Sequence, residues 1–162
     1  MVRKDLSVLV TAAGSGIGRA IAEAFLAEGC SVHICDIDPA AADDFLACNP
    51  GASATVGDVS KIGDVDRTVS DLFNYSDRLD VLINNTGVAG PIAAVEEIDP
   101  EDWDRTLAVD LNSHFYFTRK VAPLMKKAGG GSIINIASSA AFHGCPLRSP
   151  YSASKWAILG LT

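Results

Sequence analysis

The sequence predicts an α/β domain with a parallel sheet and helices on both of its faces. Short apolar runs alternate with segments of helical period, an order typical of parallel strands joined by crossover helices. A glycine-rich turn, at Gly14, Gly16 and Gly18, separates the first apolar run from the first helical segment. The chain has 162 residues, of which 48% are hydrophobic. This is enough for a substantial core, so we expect a single domain over residues 1–162.

The first strand, the glycine turn and the first helix form one unit. Residues 7–11 are mostly β-branched or leucine, and residues 19–28 return to a 3.6-residue apolar period. Glycines permit backbone angles and close approaches that a Cβ would block, and the free N–H groups of the new helix attract an anion. We therefore expect a diphosphate at this turn, although an ordinary turn before a helix also fits the glycines taken alone.

Asp36 ends the second predicted strand, at residues 30–36. It lies about twenty residues after Gly18, the offset at which an acidic side chain meets the adenosine ribose of a dinucleotide. Its carboxylate would repel a 2′-phosphate, and Ser15 and Ile37 supply no compensating cation, so the sequence favours NAD over NADP. A solvated strand end is the alternative interpretation of Asp36.

The same alternation continues through the middle of the chain. The pattern predicts a short helix over residues 38–46, a third strand over residues 52–56 and a helix over residues 62–74. Asp58 lies in the turn before that last helix. It is either an acceptor for the adenine amino group or a helix-capping or turn residue.

The second half continues the sheet, which the pattern predicts to be doubly wound and Rossmann-like. A fourth strand is predicted over residues 79–84 and a fifth, apolar on both faces, over residues 132–137. Between them we expect one long helix over residues 100–127, ended by the glycines at 129–131. The irregular segment at 88–99 is expected over the carboxyl ends of the strands, where such sheets bind ligands.

Ser138, Tyr151 and Lys155 are the candidate catalytic residues. Ser138 ends the fifth strand, and a spacing of four places Tyr151 and Lys155 on one face of a final helix. A phenol is a poor base at neutral pH, and a cation one helical turn away favours its ionised form. A serine hydroxyl can hold a substrate oxygen while the tyrosine passes a proton and a hydride moves to or from the cofactor.

In their order and spacing these motifs resemble the short-chain dehydrogenase/reductase family. The resemblance rests on Thr11 to Gly18, Asp58, Asn84-Asn85-Thr86-Gly87, Ser138 and Tyr151-x-x-x-Lys155. It implies an NAD(P)-dependent oxidoreductase acting on a secondary alcohol or ketone. Tyr151 would be the acid/base, Lys155 would promote ionisation of the phenol, and Ser138 would orient the substrate oxygen. The implied cofactor-binding residues are Thr11, Gly14, Ser15, Gly16, Ile17, Gly18, Asp36, Ile37, Asp58, Val59, Asn85, Thr86, Gly87, Tyr151 and Lys155.

The chain departs from the family pattern at three positions. Ala12 stands where the family usually has the first glycine of its turn, and Thr86 replaces the usual alanine. Asp110 replaces an asparagine whose main chain anchors a water of the family's proton relay. A carboxylate can keep that main-chain role, and it brings a negative charge near Lys155.

The end of the sequence raises a separate question. Few residues follow Lys155, whereas the resemblance implies further strands and a substrate-covering loop after the lysine helix. We therefore expect a fold truncated after the Tyr/Lys helix, with the fifth strand at an exposed edge. Three alternatives follow: an active oxidoreductase, a catalytically impaired nucleotide-binding or interaction module, or part of a longer enzyme.

Composition limits the possible partners. Twenty acidic against thirteen basic residues give a net charge of −7, which disfavours nucleic acid and anionic membrane surfaces. No apolar run approaches the roughly eighteen residues that a membrane helix needs, and no apolar signal region precedes the first strand, so we expect a cytoplasmic protein. The expected partners are a small alcohol or carbonyl substrate and, from the resemblance, further copies of the chain in a tetramer or dimer.

We assign no metal-binding role to the cysteines, and only one histidine is a candidate for contact with substrate. The four cysteines lack Cys-x-x-Cys spacing, so we expect reduced, buried thiols and no metal site. His33 and His114 lie in predicted elements and are expected to have packing roles. His143 lies in the loop between Ser138 and Tyr151, which in the family faces substrate, and is a candidate substrate contact.

Overall fold

Five parallel strands form the sheet of the computed structural model, which describes residues 5–162. Residues 1–4 lie outside the described residues. They belong to the segment before the first strand, for which the sequence predicts no apolar signal region. The strands are β1 (Ser7–Thr11), β2 (Ser31–Asp36), β3 (Ser53–Val56), β4 (Val81–Asn84) and β5 (Ser132–Asn135). Their order is β3-β2-β1-β4-β5, and all neighbours pair in parallel. The predicted doubly wound sheet is confirmed.

Helices follow the strands in sequence, as the alternating pattern predicts. Their bounds are α1 (Gly16–Ala27), α2 (Pro39–Cys48), α3 (Ile62–Leu72), α4 (Pro100–Leu107), α5 (Ser113–Lys127) and α6 (Ser149–Leu161). Aspartates cap two of them: Asp38 accepts from the Ala40 N–H at 2.9 Å, and Asp99 accepts from the Glu101 N–H at 2.9 Å. Each cap precedes a proline at the first helical position, the arrangement that favours helix initiation.

Apolar side chains pack on both faces of the sheet. Alternate residues of a strand point to opposite faces, so each strand contributes to two cores. On one face Leu9 and Leu82 pack with α3 and α5, through residues that include Val69 and Phe117. On the other face, strand residues pack with α1 and α2, and Phe45 of α2 is fully buried. The two cores confirm helices on both faces.

The long helix predicted over residues 100–127 is interrupted. Helices α4 and α5 are separated by a π-helical turn at Ala108–Asn112. A π turn adds one residue to the local helical repeat and rotates the following side chains relative to a regular α-helix. Asp110 lies in this turn and is fully buried. Such turns are frequent at functional sites.

Other differences from the sequence predictions are smaller. Strands β2 to β5 are one to two residues shorter than predicted, because the apolar runs extend beyond the paired backbone. Within residues 5–162 none of the four cysteines forms a disulfide, and Cys30 and Cys35 are buried as expected. Cys48, at the carboxyl end of α2, is exposed, and Cys145 is half-buried. The expectation of buried thiols was therefore wrong for both.

Strand β5 lies at an edge of the sheet within residues 5–162. Its side chains are exposed or half-buried, and Ile134 is 46% exposed. The prediction that this apolar strand forms an exposed edge is confirmed. Among the described helices, none combines the length and apolar character required to cross a membrane.

Candidate cofactor cleft and active site

The glycine turn leaves the first turn of α1 open to a ligand. A Cβ on Gly18 would stand 2.3 Å from the carbonyl oxygen of Ala12, so only glycine allows this close approach. Gly16 begins α1 with a φ of +59°, in the left-handed region that favours glycine. Ser15, the N-cap residue, makes no side-chain capping hydrogen bond. The first N–H groups of α1 are therefore available to an anion, as a diphosphate requires.

Asn85 and Thr11 hold the turn against the end of β4. The Asn85 Nδ2 donates to the carbonyl oxygens of Thr11 and Ala12, at 3.0 Å each. The Thr11 Oγ1 accepts from the N–H groups of Asn85 and Thr86, at 3.0 and 3.2 Å. Ala12 adopts a φ of +51°, unusual for a residue with a Cβ. These hydrogen bonds hold the backbone of Ala12 in a conformation that glycine adopts more readily, and glycine is the family's usual residue at this position.

Asp36 is buried and bonded, so the alternative of a solvated strand end is wrong. Its Oδ2 accepts from the Gly14 N–H at 2.8 Å, and its Oδ1 accepts from the Asp38 N–H at 3.0 Å. The residue is 8% exposed. The carboxylate therefore joins the glycine turn to the end of β2, and both features meet at the carboxyl edge of the sheet.

A cleft of about 490 Å³ opens at this edge. Its walls come from the ends of β2, β3 and β4 and from α4 and the π turn that follows it. Six of the sequence-predicted cofactor residues line it: Asp36, Ile37, Asp58, Val59, Thr86 and Gly87. Arg105, Ala108 and Val109 also line it and were missed from the sequence. Their spacing of three and four residues, which places side chains on one helix face, was the available signal.

Asp58 has a turn-forming role and also faces the cleft. Its Oδ1 accepts from the backbone N–H of Ser60 at 3.0 Å and from the Ser60 hydroxyl at 2.7 Å. Its Oδ2 lies 3.6 Å from the Lys61 Nζ. The structure therefore shows the local role that the sequence left open, and a contact with adenine remains compatible with it.

Tyr151 and Lys155 lie together on α6, as their spacing predicts. The Lys155 Nζ is 5.8 Å from the centroid of the Tyr151 ring and donates to the Ile136 carbonyl oxygen at 3.2 Å. Lys155 is 3% exposed. Burial lowers the pKa of Lys155, and the nearby carboxylate of Asp110 opposes this effect. The lysine is thus held in place between the tyrosine ring and the end of β5.

Asp110 connects the π turn to two other parts of the site. Its Oδ1 accepts from the Val88 N–H at 2.7 Å, and its Oδ2 accepts from the Ser154 hydroxyl at 3.4 Å. Burial raises the pKa of Asp110, while the bond from Val88 and the charge of Lys155 act in the opposite direction. The carboxyl group therefore links the segment after β4 to α6.

Ser138 lies just beyond the end of β5, where it caps a short 3-10 turn. Its Oγ accepts from the Ala140 N–H at 3.2 Å, so the hydroxyl proton remains available for another acceptor. His143 follows in the same loop and is exposed. This loop begins at the sheet edge that carries the cleft, and in the part of the chain that the structure describes the His143 side chain makes no hydrogen bond or ion pair.

The other two histidines have packing roles, as expected. The His114 Nε2 lies 3.2 Å from the Thr86 carbonyl oxygen, and burial lowers the pKa of His114 to about 4. The His33 Nδ1 lies 2.7 Å from the Ser53 hydroxyl and its Nε2 lies 3.0 Å from the Thr55 hydroxyl.

Within residues 5–162, no group of histidine, cysteine, aspartate and glutamate side chains is arranged to hold a metal ion.

This arrangement can be compared with known proteins. A model of the family described as short chain dehydrogenase matches residues 7–162. The chain belongs to the short-chain dehydrogenase family. It is 40% identical over 159 residues to an uncharacterized oxidoreductase of Thermotoga maritima, and the match covers 96% of this chain and 62% of that protein. The chain therefore spans about three fifths of the length of this curated relative.

Solved structures of family members have the same fold. The 3-ketoacyl-(acyl-carrier-protein) reductase from Brucella melitensis, complexed with NADH, is 32% identical with a TM-score of 0.94, over 97% of this chain and 67% of that one. F189W actinorhodin polyketide ketoreductase with NADPH is 31% identical with a TM-score of 0.94, over 100% of this chain and 64% of that one. Family members of this fold thus bind either NADH or NADPH.

Proposed function

We propose that the chain carries the cofactor-binding half and the acid/base residues of an oxidoreductase. The reaction is hydride transfer between NAD(H) and a secondary alcohol or ketone. The observation that carries this proposal is the position of Lys155, buried beside the Tyr151 ring and facing Gly87, which lines the cleft. A cation beside a phenol therefore faces a residue that lines the cleft.

The residues of the cleft fit a dinucleotide. The glycine turn, at Gly14, Ser15, Gly16, Ile17 and Gly18, would hold the diphosphate through the N–H groups that begin α1. Asp36 and Ile37 would hold the adenosine ribose, and Asp58 and Val59 the adenine. Tyr151 and Lys155 would hold the nicotinamide ribose. Thr11, Asn85, Thr86 and Gly87 would form the floor between these parts. Of these, Thr86 and Gly87 line the cleft, and the Thr11 hydroxyl accepts from the N–H groups of Asn85 and Thr86. When bound, the nicotinamide supplies or accepts the hydride.

Residues of this chain would position the substrate oxygen and transfer a proton to or from it. The Ser138 hydroxyl would donate to the substrate oxygen and hold it beside Tyr151. The Tyr151 hydroxyl would give its proton to that oxygen during reduction and take it back during oxidation. The Lys155 ammonium stabilises negative charge on the phenol oxygen by a Coulombic interaction. Apolar side chains near this end of the sheet, including Val88, Phe142 and Leu147, suit a nonpolar or modestly polar substrate.

We propose NAD in preference to NADP. The Asp36 carboxylate is fixed by two backbone N–H groups at the cleft wall, where it would repel a 2′-phosphate. Asp36→Asn keeps an oxygen acceptor for Gly14 and removes the charge. We expect this variant to bind NADPH about tenfold more tightly than the unmodified protein does. Unchanged NADPH affinity would show that Asp36 does not determine the preference.

The test of the proposed reaction is Tyr151→Phe, which removes the hydroxyl and keeps the ring. With a panel of ketones and NADH, we expect turnover to fall by about a hundredfold or more, while the dissociation constant of NADH changes little. Tyr116→Phe, on α5 away from the cleft, is the matched control and should retain turnover. Undiminished turnover in Tyr151→Phe would exclude the tyrosine as the acid/base.

A second candidate function is nucleotide binding without turnover. The observation that favours it is the buried Asp110 carboxylate near Lys155, where the family usually has asparagine. The same assays separate the two functions. NADH binding without oxidation of NADH by any ketone of the panel would support the binding module, and turnover that depends on Tyr151 would support the enzyme.

We also propose that the chain forms a homo-oligomer through its two long helices. Phe115 and Leu124 of α5 are 47% and 37% exposed, and Trp156 and Leu159 of α6 are 54% and 38% exposed. Apolar side chains exposed along a helix are typical of subunit interfaces. Sedimentation velocity should give a dimer or tetramer, and Trp156→Glu should shift the distribution towards the monomer.

We propose a cytoplasmic location because of the state of the cysteines. None of the four, which all lie within residues 5–162, forms a disulfide, and structural disulfides are usual in oxidising compartments. A fluorescent fusion expressed in its own host tests this location, and a membrane or secreted signal would contradict it.

A further inference from the structure

Arg105 is the one charged residue lining the cleft whose side chain has no hydrogen-bond or ion-pair partner within residues 5–162. Of the described residues that line the cleft, three are charged: Asp36, Asp58 and Arg105. Both carboxylates have partners within the fold, backbone N–H groups for Asp36 and Ser60 with Lys61 for Asp58, and they keep acceptor capacity for a ligand. Within residues 5–162, the Arg105 guanidinium makes no hydrogen bond or ion pair. It is exposed and is left free to contact a ligand in the cleft.

The walls around Arg105 suit a flat aromatic group. Arg105, Ala108 and Val109 come from one face of α4 and the π turn, whereas Ile37 and Val59 come from the strand ends. Small and branched apolar side chains contact the face of a planar ring without competing for hydrogen bonds. A guanidinium is itself planar and stacks on aromatic faces.

The charges in the cleft favour a neutral base over a phosphate as the group that Arg105 contacts. Asp36 and Asp58 both line the cleft, and their carboxylates would repel a phosphate placed between them and Arg105. The free N–H groups at the start of α1 offer a diphosphate an alternative position. An adenine ring carries no charge and can occupy the space between the apolar walls and the guanidinium.

We propose that Arg105 closes the adenine subsite by stacking its guanidinium on the base. This inference rests on the proposed function, because it assumes that an adenine dinucleotide occupies the cleft. It adds a wall from α4 to a subsite otherwise formed by the strand ends and the π turn. It also makes Arg105 a determinant of affinity for the adenine half of the cofactor, independent of any 2′-phosphate.

The experiment compares cofactor fragments in binding titrations that need no turnover. NADH, NADPH, ADP and reduced nicotinamide mononucleotide are titrated into the unmodified protein, Arg105→Gln, Arg105→Lys and Arg119→Gln. Arg119, exposed on α5 and remote from the cleft, is the matched control. We expect Arg105→Gln to weaken NADH, NADPH and ADP by about threefold each and to leave the mononucleotide unchanged. Arg105→Lys should recover only part of the loss, because an ammonium does not stack as a planar group does.

Several results would overturn the assignment. A loss confined to NADPH would place Arg105 on the 2′-phosphate, and full recovery in Arg105→Lys would indicate charge instead of stacking. Unchanged NADH and ADP affinities in Arg105→Gln would remove Arg105 from the subsite while leaving the proposed function intact. Failure of the unmodified protein to bind any adenine nucleotide would overturn the proposed function and this inference together.

Discussion

Lys155 and Asp110 face the same glycine from two different elements. A Cβ on Gly87 would lie 3.1 Å from the Lys155 Nζ and 3.7 Å from the Asp110 Oδ1. Both side chains are almost completely buried, so the interaction of their charges is weakly screened. The absence of a side chain at Gly87 lets a cation and a carboxyl group converge beside the cleft. The ionisation of the lysine is therefore coupled to Asp110.

The first prediction concerns Asp110→Asn. The carboxylate raises the pKa of Lys155 against the larger effect of burial, so removing its charge should lower the pKa of Lys155. The asparagine keeps an oxygen that can accept from the Val88 N–H, and it restores the family's usual residue. Carbon-13 NMR of labelled lysine side chains, with Lys155→Arg for assignment, measures this pKa directly.

Turnover gives an independent measure of the same coupling. If the ammonium is needed, the alkaline limb of the pH profile of kcat/KM should move to lower pH in Asp110→Asn. Asp104→Asn, an exposed carboxylate on α4, is the control and should leave both readouts unchanged. A Lys155 pKa that is the same with aspartate or asparagine at position 110 would refute the coupling.

The second prediction compares two glycines. Gly18→Ala places a Cβ 2.3 Å from the Ala12 carbonyl oxygen and 2.5 Å from the Asn85 Nδ2, a backbone clash that no rotamer relieves. We expect a loss of more than about 2 kcal/mol in the free energy of unfolding and a loss of NADH binding. Gly63→Ala, in α3, meets no atom within 4 Å and should stabilise the protein by about 0.5 kcal/mol.

Urea denaturation and NADH titration of the two variants test this contrast. Because both substitutions add the same methyl group, the comparison separates the effect of position from that of chemistry. Normal stability in Gly18→Ala would mean that the turn is not packed as tightly as the structure shows.

The third prediction concerns acid sensitivity at His33. Burial lowers the pKa of His33 to about 4, and the charge of Asp71 opposes this only in part. The unfolded chain has a histidine pKa near 6.5, so below that pH the unfolded state takes up a proton and the folded state does not. Stability is therefore fully present above pH 6.5 and is lost as the pH falls towards 4, by about 3 kcal/mol in total.

The pH dependence of urea midpoints between pH 6.5 and 5 measures this effect. His33→Gln should give a shallower dependence than the unmodified protein, with part of the slope remaining because burial also lowers the pKa of His114 to about 4. His143→Gln, at an exposed position, is the control and should keep the original slope. An unchanged slope in His33→Gln would contradict the prediction.

Much of the fold could be predicted because β1, β2 and β4 are buried on both faces. Apolar runs such as Val8-Leu9-Val10 have few alternatives in a chain of this length, and helical periods between them require parallel pairing. The glycine turn and the spacing of Tyr151 and Lys155 are local in sequence, so the structure brings these neighbours together as expected.

The sequence could not predict the π turn or the position of Arg105 in the cleft wall, and both failures have a physical reason. Leu107, Leu111 and Phe115 keep a spacing of four through the turn, so the apolar period does not reveal the extra residue. An arginine on a polar helix face is usually solvated, and its position at the cleft depends on how α4 packs in the tertiary structure. Cys48 is exposed for a similar reason, since the end of α2 extends beyond the core.

The central claim is that one bound dinucleotide reaches from the glycine turn to the Tyr151–Lys155 pair. Amide NMR of the isotopically labelled protein, titrated with NADH, tests it most directly. The account predicts that the signals of Ile17 and Gly18 shift together with those of Gly87 and Tyr151, along a single binding curve. Shifts at only one of these two groups, or at neither, would contradict it.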